Sequence, residues 1–345
     1  MENNLYKNKV VLITGATGLI GSHLVRKLLD LEAEVIAVGR KYRKLEDIFK
    51  NEVNNKKLKL IAINISQQLP QNIGIVDYIF HAASPISGKD IVSKPIDVIT
   101  SNLMGVKNCL DYLRLQKKER NVNGKLVVFS SATVYGDVYE VDCNYSEKDT
   151  YHAPKLDSLE AYYSETKRMM EIIAKGYYVQ YGVDIVIARI SYVYGYTKYM
   201  PNTAFYEFIK NGVQAKDIVI NNANIKKRDN IYVDDVIDGL ILIANKGKVG
   251  EAYNISSNGE KNNYSSIDKI ARVIAKCSNE VLKNNKITVK IPEAEAVICP
   301  GIRLNNKKIE ELGWTVKTSL EEGIKKTIDL YLTQQREECR DEIME

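Results

Sequence analysis

The sequence predicts an α/β fold: a doubly wound parallel sheet carrying a smaller C-terminal α/β lobe. Three observations point to it. Apolar runs of strand length alternate with stretches of helical spacing through the first half of the chain. Those runs are near-continuous in their apolar character, as in strands covered on both faces. The first run, Val10 to Thr14, feeds a glycine-rich turn that opens into Leu24, Val25, Leu28 and Leu29 at helical spacing.

That turn reads Gly15-Ala16-Thr17-Gly18-Leu19-Ile20-Gly21. Gly15 lets the chain turn at the strand end, Gly18 removes a side chain so that backbone N–H groups can approach a pyrophosphate, and Gly21 lets the helix pack closely on the sheet. Phosphates would then sit at the positive end of the helix. A strand, this turn and a helix in that order make a Rossmann-type dinucleotide crossing.

Further strands are predicted at Glu34 to Arg40, Leu58 to Ile65, Val76 to Ala83, Lys125 to Ser131 and Val183 to Arg189. Helices are predicted from Asn102 to Leu115 and from Leu159 to Tyr181. After Arg189 the rhythm loosens. Helices are expected at Asn202 to Lys210, Asp234 to Asn245 and Ser265 to Lys276, a strand at Lys286 to Ile291, and two helical stretches around Leu312-Gly313-Trp314. The pattern divides the chain into a cofactor-binding domain at 1–189, to which 229–255 returns, and a lobe at 190–228 and 256–333 that closes over the cofactor's reactive end. The densely charged tail at 334–345 is expected to fray or stay solvated.

A chain of 345 residues, 45% hydrophobic, can bury a large core and suggests two lobes. Its 49 basic and 44 acidic residues leave a mild +5, spread along the sequence, which argues against nucleic acid and allows a phosphate-bearing small ligand. The five cysteines have no metal-type spacing, so no metal site is expected. The N-terminus lacks the pattern of a secretory signal, and no apolar run approaches membrane-span length; a cytoplasmic protein without a membrane partner is expected.

The pattern Tyr-x-x-x-Lys occurs four times, at Tyr151/Lys155, Tyr163/Lys167, Tyr194/Lys198 and Tyr206/Lys210. Pro154 spoils the first as helix interior, Gly195 places the third in a loop, and the fourth lies in the later lobe. Tyr163 and Lys167 sit on a long predicted helix, where i and i+4 share a face. An ammonium beside a phenol favours the phenolate, which would lower the Tyr163 pKa toward a working range. Ser130-Ser131-Ala132-Thr133-Val134-Tyr135-Gly136 ends a strand at the sheet edge where α/β proteins bind ligands, and a Ser hydroxyl there can share a substrate oxygen with a Tyr phenol. No His or carboxylate motif makes that serine a nucleophile.

Together, Thr14 to Gly21, His81-Ala82-Ala83-Ser84, the Ser-Ser-Ala-Thr-Val-Tyr-Gly stretch and Tyr163-Ser164-Glu165-Thr166-Lys167 resemble the extended short-chain dehydrogenases, in their nucleotide-sugar epimerase/dehydratase/reductase branch. Lys227-Arg228-Asp229-Asn230-Ile231-Tyr232-Val233-Asp234-Asp235 and the Arg303 to Trp314 segment resemble two later motifs of that branch. The resemblance implies Tyr163 as general acid/base, Lys167 as the residue that holds the nicotinamide ribose and tunes Tyr163, and Ser131 as its partner on the substrate oxygen. It implies cofactor contacts from Gly15, Thr17, Gly18, Leu19, Ile20, Gly21 and Arg40. Further along the cofactor it implies Asn64, Ile65, Ala82, Ala83, Ser84, Asn102, Ser130, Ile190 and Tyr192. Ser131, Thr133, Arg228 and Arg303 would hold a nucleotide-diphosphate sugar, the two arginines through its phosphates. It also implies a homodimer, paired through the helices beginning near Asn102 and Leu159.

Within the branch, 4,6-dehydratases carry an Asp-Glu pair after the Ser/Thr and sugar-acid decarboxylases a Glu; here Ala132 and Thr133 stand in those places. The stretch itself looks most like the 4-epimerases. Those carry an acidic residue at the end of the second strand, where this chain has Gly39, Arg40 and Lys41, so NADP(H) is favoured over NAD(H). Ser191-Tyr192 departs from the branch, which commonly has an aromatic residue and then a phosphate-touching Asn there. The expectation is reduction of a nucleotide-linked 4-keto sugar. The alternatives are a 4-epimerase with tightly held NAD and a non-catalytic NADP-binding protein of the same fold.

Overall fold

A computed structural model describes residues 5–85, 88–136, 143–159, 161–220, 225–283, 286–291, 298–299 and 301–344. The chain begins with β1 (Val10–Thr14), α1 (Leu19–Asp30), β2 (Glu34–Gly39), α2 (Tyr42–Ile48), β3 (Leu58–Ala62) and β4 (Tyr78–His81). It continues with α3 (Gly88–Ser93), α4 (Pro95–Arg120), β5 (Lys125–Ser131), β6 (Cys143–Tyr145), α5 (Ala161–Tyr181), β7 (Asp184–Ile190) and β8 (Tyr192–Tyr194). Next come α6 (Ala204–Val213), β9 (Ile218–Val219), β10 (Ile225–Tyr232), α7 (Val233–Lys246), β11 (Ala252–Ile255), β12 (Tyr264–Ser266) and α8 (Ile267–Leu282). The last elements are β13 (Val289–Lys290), β14 (Ile298–Cys299), β15 (Ile302–Leu304), α9 (Lys307–Glu310) and α10 (Leu320–Met344).

Seven strands form one parallel sheet in the order β11-β7-β5-β4-β1-β2-β3. The predicted doubly wound fold is therefore present. Alternate residues of each strand face opposite cores. Val11 and Ile13 pack with Leu24 and Leu28 of α1 and Leu240 of α7. Leu12 packs with Leu110 and Leu113 of α4 and Met170 of α5. Burial on both faces explains why these strands read as unbroken apolar runs. Strand order reverses between β1 and β4, and the crevice beyond their C-terminal ends is where such sheets bind ligands.

The smaller sheet joins β12, β10 and β14, with β8 paired to β10. Two details correct the expectations. The helix expected from Asn102 begins at Pro95, because proline at the first helical positions is a start signal. The tail expected to fray or stay solvated from Gln334 does not fray: it is helical backbone to Met344, with Gln335, Arg336 and Glu337 exposed to solvent. Ile324, Ile328 and Tyr331 bury one face of that helix, and Gln334 accepts a bond from the Tyr196 hydroxyl at 3.0 Å.

The helix that carries the candidate site, α5, is tied to the sheet by a buried ion pair. Glu171 receives Arg189 Nε at 2.9 Å and Nη2 at 2.7 Å, and both side chains are under a tenth exposed. Ser130 Oγ donates to the same carboxylate at 2.5 Å, and Arg189 Nη1 also reaches Tyr135 Oη and the Glu147 carbonyl. Glu171→Ala would leave that guanidinium buried without its counter-charge. The expected loss is about 3–5 kcal/mol of unfolding free energy in urea denaturation; a loss under about 1 kcal/mol would contradict the clamp.

Candidate active site

The first turn is shaped by what its glycines lack. Gly15 sits at φ +66°, and a Cβ there would lie 2.6 Å from the Ala83 nitrogen. A Cβ on Gly21 would overlap the Gly15 carbonyl. The turn closes with Gly18 N–H donating to Gly15 O at 3.0 Å. α1 then starts at Leu19 with no side-chain cap and no acidic residue in its first turn. Amides at such an end suit a pyrophosphate, so the residues fit a dinucleotide on steric and electrostatic grounds.

A cavity of about 1330 Å³ opens at this point. Thr17, Gly18, Leu19, Ile20 and Gly21 form its floor beside Ala82, Ala83 and Ser84 from the end of β4. Arg40, Asn64 and Ile65 line the side toward β2 and β3. Ser130, Ser131 and Thr133 follow β5, Tyr163 and Lys167 come from α5, and Ile190 and Tyr192 follow β7. Asn102 stands behind this wall: wholly buried, it accepts from Ser84 Oγ at 2.8 Å and donates to Thr166 Oγ1 at 3.0 Å.

The phenol of Tyr163 faces the hydroxyls of Ser131 and Ser84, both of which favour its ionised form. Burial pushes its pKa up to about 12, against the pull of those two hydroxyls. Lys167 is 2% exposed, donates to the Phe129 carbonyl at 2.7 Å, and stands 5.6 Å from the centre of the Tyr163 ring. Burial lowers its pKa to about 7, with Glu171 opposing. The sequence expectation of a phenol made more acidic by this lysine is thus corrected. Desolvation dominates at both groups, and the ammonium is committed to a backbone carbonyl.

His81 is buried and neutral: burial, with Lys167 adding, lowers its pKa to about 3. Its Nδ1 lies 2.8 Å from Thr14 Oγ1, which accepts the Ala83 N–H at 3.3 Å. This bond chain fixes the loop that faces Gly15.

On the lobe side, Ser131 Oγ accepts the Thr133 N–H at 3.2 Å, and Thr133 Oγ1 is buried with no protein partner. Arg228 lines the cavity; Arg303 does not, and its guanidinium lies 5.7 Å from the Tyr264 ring centre. Asp229, between them, was missed as a supporting residue. It accepts from Ser257 N–H and Oγ and from Leu304 N–H, binding β10 to β15, and burial raises its pKa to about 6. Lys44 and Tyr199 were also missed. Lys44 lies 4.4 Å from the Tyr199 ring centre, and both line the cavity near Arg40. Burial, then Arg40 and Lys41, lowers the Lys44 pKa. Its closeness to Arg40 and Lys41 in the chain was the available signal. Among the described residues, no helix is long and apolar enough to cross a membrane.

The fold places the chain in the dinucleotide-binding, doubly wound class. Within that class it belongs to the NAD-dependent epimerase/dehydratase family, whose model matches residues 11–256. An uncharacterised Methanocaldococcus jannaschii protein, MJ1055, is 27% identical over 340 residues, covering 95% of this chain and 97% of its own. UDP-glucuronic acid decarboxylase 1 of Arabidopsis thaliana is 27% identical over 320 residues, covering 92% of this chain and 68% of its own. The crystal structure of Bacillus cereus UDP-glucuronic acid 4-epimerase, with UDP-glucuronic acid and NAD, superposes with a TM-score of 0.76. Its identity is 23%, over 94% of this chain and 99% of that one.

The Lys167 shift carries a pH signature. Above pH 7 the folded protein holds fewer protons at Lys167 than the unfolded chain, whose lysine titrates near about 10.4, so stability rises with pH across that window. Lys167→Met removes this dependence. In urea titrations without cofactor, the variant's stability advantage should be largest near neutrality and shrink toward about pH 9.5. A gap that does not change with pH would refute the assignment.

Proposed function

We propose that this protein is an NADP(H)-dependent oxidoreductase that reduces the 4-keto group of a nucleotide-diphosphate sugar. The observation that carries the reading is the cationic group Arg40, Lys41 and Lys44 at the end of β2. Like charge around Lys44 is enough to help lower its pKa, and a 2′-phosphate would relieve that repulsion. The turn from Gly15 to Gly21 would hold the pyrophosphate, and Lys167 would face the ribose.

A bound nicotinamide supplies the hydride acceptor or donor. The chain's own residues handle the proton. Tyr163 keeps its hydroxyl proton at neutral pH, as a proton donor to a carbonyl oxygen must, and Ser131 donates to the same oxygen. Ile190 and Phe129, both under a tenth exposed, limit water at this point. Arg228 would meet the diphosphate. Dehydration or decarboxylation finds no carboxylate at Ala132 or Thr133, and Asp97 is the one carboxylate among the described lining residues.

A nucleotide-sugar 4-epimerase with tightly held NAD is the second reading. It is supported by the same lack of a second acid/base and by the NAD-dependent description of the family.

The experiment is to denature the purified protein, identify any released cofactor, and follow NADPH oxidation on nucleotide-linked 4-keto sugars. The expected result is NADPH consumption, with Tyr163→Phe slower by about a hundredfold to ten-thousandfold. Tightly held NAD, with no NADPH consumption on any keto sugar, would overturn the reductase reading in favour of the epimerase.

A further inference from the structure

The resemblance leaves the position after Ser191 without an assigned substrate contact, since Tyr192 stands where the branch commonly has Asn. The structure supplies a use for the ring. β8 pairs in parallel with β10, placing Tyr192 opposite Asn230. Arg228 is two residues back along β10, so by strand alternation it shares that face. Its guanidinium carbon lies 4.9 Å from the Tyr192 ring centre, and both residues line the cavity.

Arg228 has no ion pair or hydrogen bond from its side chain among the described residues, and its Nε is buried without a partner. Its main chain is nonetheless fixed: Asn230 Nδ2 donates to the Arg228 carbonyl at 2.8 Å and to Asn263 O at 2.9 Å. A carboxylate partner would occupy the guanidinium fork and cancel its charge. An aromatic face orients the same group through its quadrupole and uses none of the five N–H donors.

We propose that Tyr192 is a positioning residue for the substrate diphosphate: its ring seats Arg228 and leaves the guanidinium's donors free for an anion in the cavity. This rests on the reading of the substrate as a nucleotide-diphosphate sugar. The Tyr192 phenol is also near enough to Tyr163 to disfavour its ionised form, which sets the seat close to the reacting end of the cavity. The ligand class is an anion with several coplanar acceptor oxygens, as a diphosphate offers to a guanidinium.

The test measures binding by calorimetry, using UDP, dTDP, GDP and CDP as probes, with cooperative urea unfolding as the folding control. Tyr192→Leu removes the ring and should weaken the best-bound nucleoside diphosphate about tenfold. Tyr192→Phe keeps the ring face and should stay within about twofold. Both should unfold cooperatively in urea, as the parent does. The proposal is overturned if the Leu variant binds the diphosphate as tightly as the parent, or if the Phe variant loses as much as the Leu variant. Should the Leu variant fail to fold, the Phe variant decides alone, and a drop beyond about tenfold overturns the proposal. Failure of the parent to bind any of the four probes would remove the substrate reading itself. Binding by the parent that ignores Tyr192 would remove only this proposal.

Discussion

One buried ion pair sets the geometry that the candidate site depends on. Glu171 lies four residues after Lys167 and eight after Tyr163 on α5, so its position fixes the roll and height of that face of the helix. Arg189, near the end of β7, grips it with two nitrogens, while Ser130 at the end of β5 donates to it from below. The helix is thereby registered against the two strands whose ends carry Ser131 and Ile190. A buried pair of this kind contributes little net stability compared with an apolar replacement. Its effect here is placement: shifted by one turn, about 5.4 Å, Tyr163 would no longer meet Ser131. The same arginine reaches Tyr135 and Glu147, and Tyr135 donates to Asn254 at the sheet edge. Asn254 in turn donates to the carbonyls of Tyr145 and Asn305. The lobe is thus anchored to the same point as the helix.

The second constraint is dielectric. Three ionisable groups behind the reacting end are pushed toward their neutral forms: Tyr163 up to about 12, Lys167 down to about 7, His81 down to about 3. The cause is shared, because burial penalises charge of either sign. At the outer ends the charge balance reverses, with Arg40 and Lys44 at one side and Arg228 at the other. A neutral, proton-bearing centre between two cationic ends matches a ligand whose reacting carbon is uncharged and whose phosphates lie on either side.

How much of this was legible in the sequence depended on the range of the interaction. Lys125 to Ser131 was bounded correctly, because a two-sided buried strand leaves an unbroken apolar run between polar loops. The glycine turn was legible because only glycine tolerates φ +66° against the Ala83 backbone. The short lobe strands were not, since strands of two or three residues, such as Ile218–Val219 and Tyr192–Tyr194, show no period. Glu171 sits on the Lys167 face and could have been found by spacing. Its partner Arg189 could not, because a charged residue at a strand end reads as surface until the fold buries it. The pKa direction expected for Tyr163 failed for a related reason: the i, i+4 spacing of Tyr163 and Lys167 is local, but desolvation is a property of the packed site. Arg303 was placed by motif alone, and the structure leaves its neighbour Ile302, not Arg303 itself, on the cavity wall.

The candidate site depends on one arrangement: a protonated phenol beside a serine hydroxyl, facing the mouth of the first βα crossing. A crystal structure of the protein with NADP+ and a nucleoside diphosphate bound measures it most directly. The expected complex has the pyrophosphate of the dinucleotide on the Gly15 to Gly21 turn and its nicotinamide beside the Tyr163 hydroxyl and Ser131. A nicotinamide bound away from that pair, or a Tyr163 ring turned from Ser131 in the complex, would contradict it.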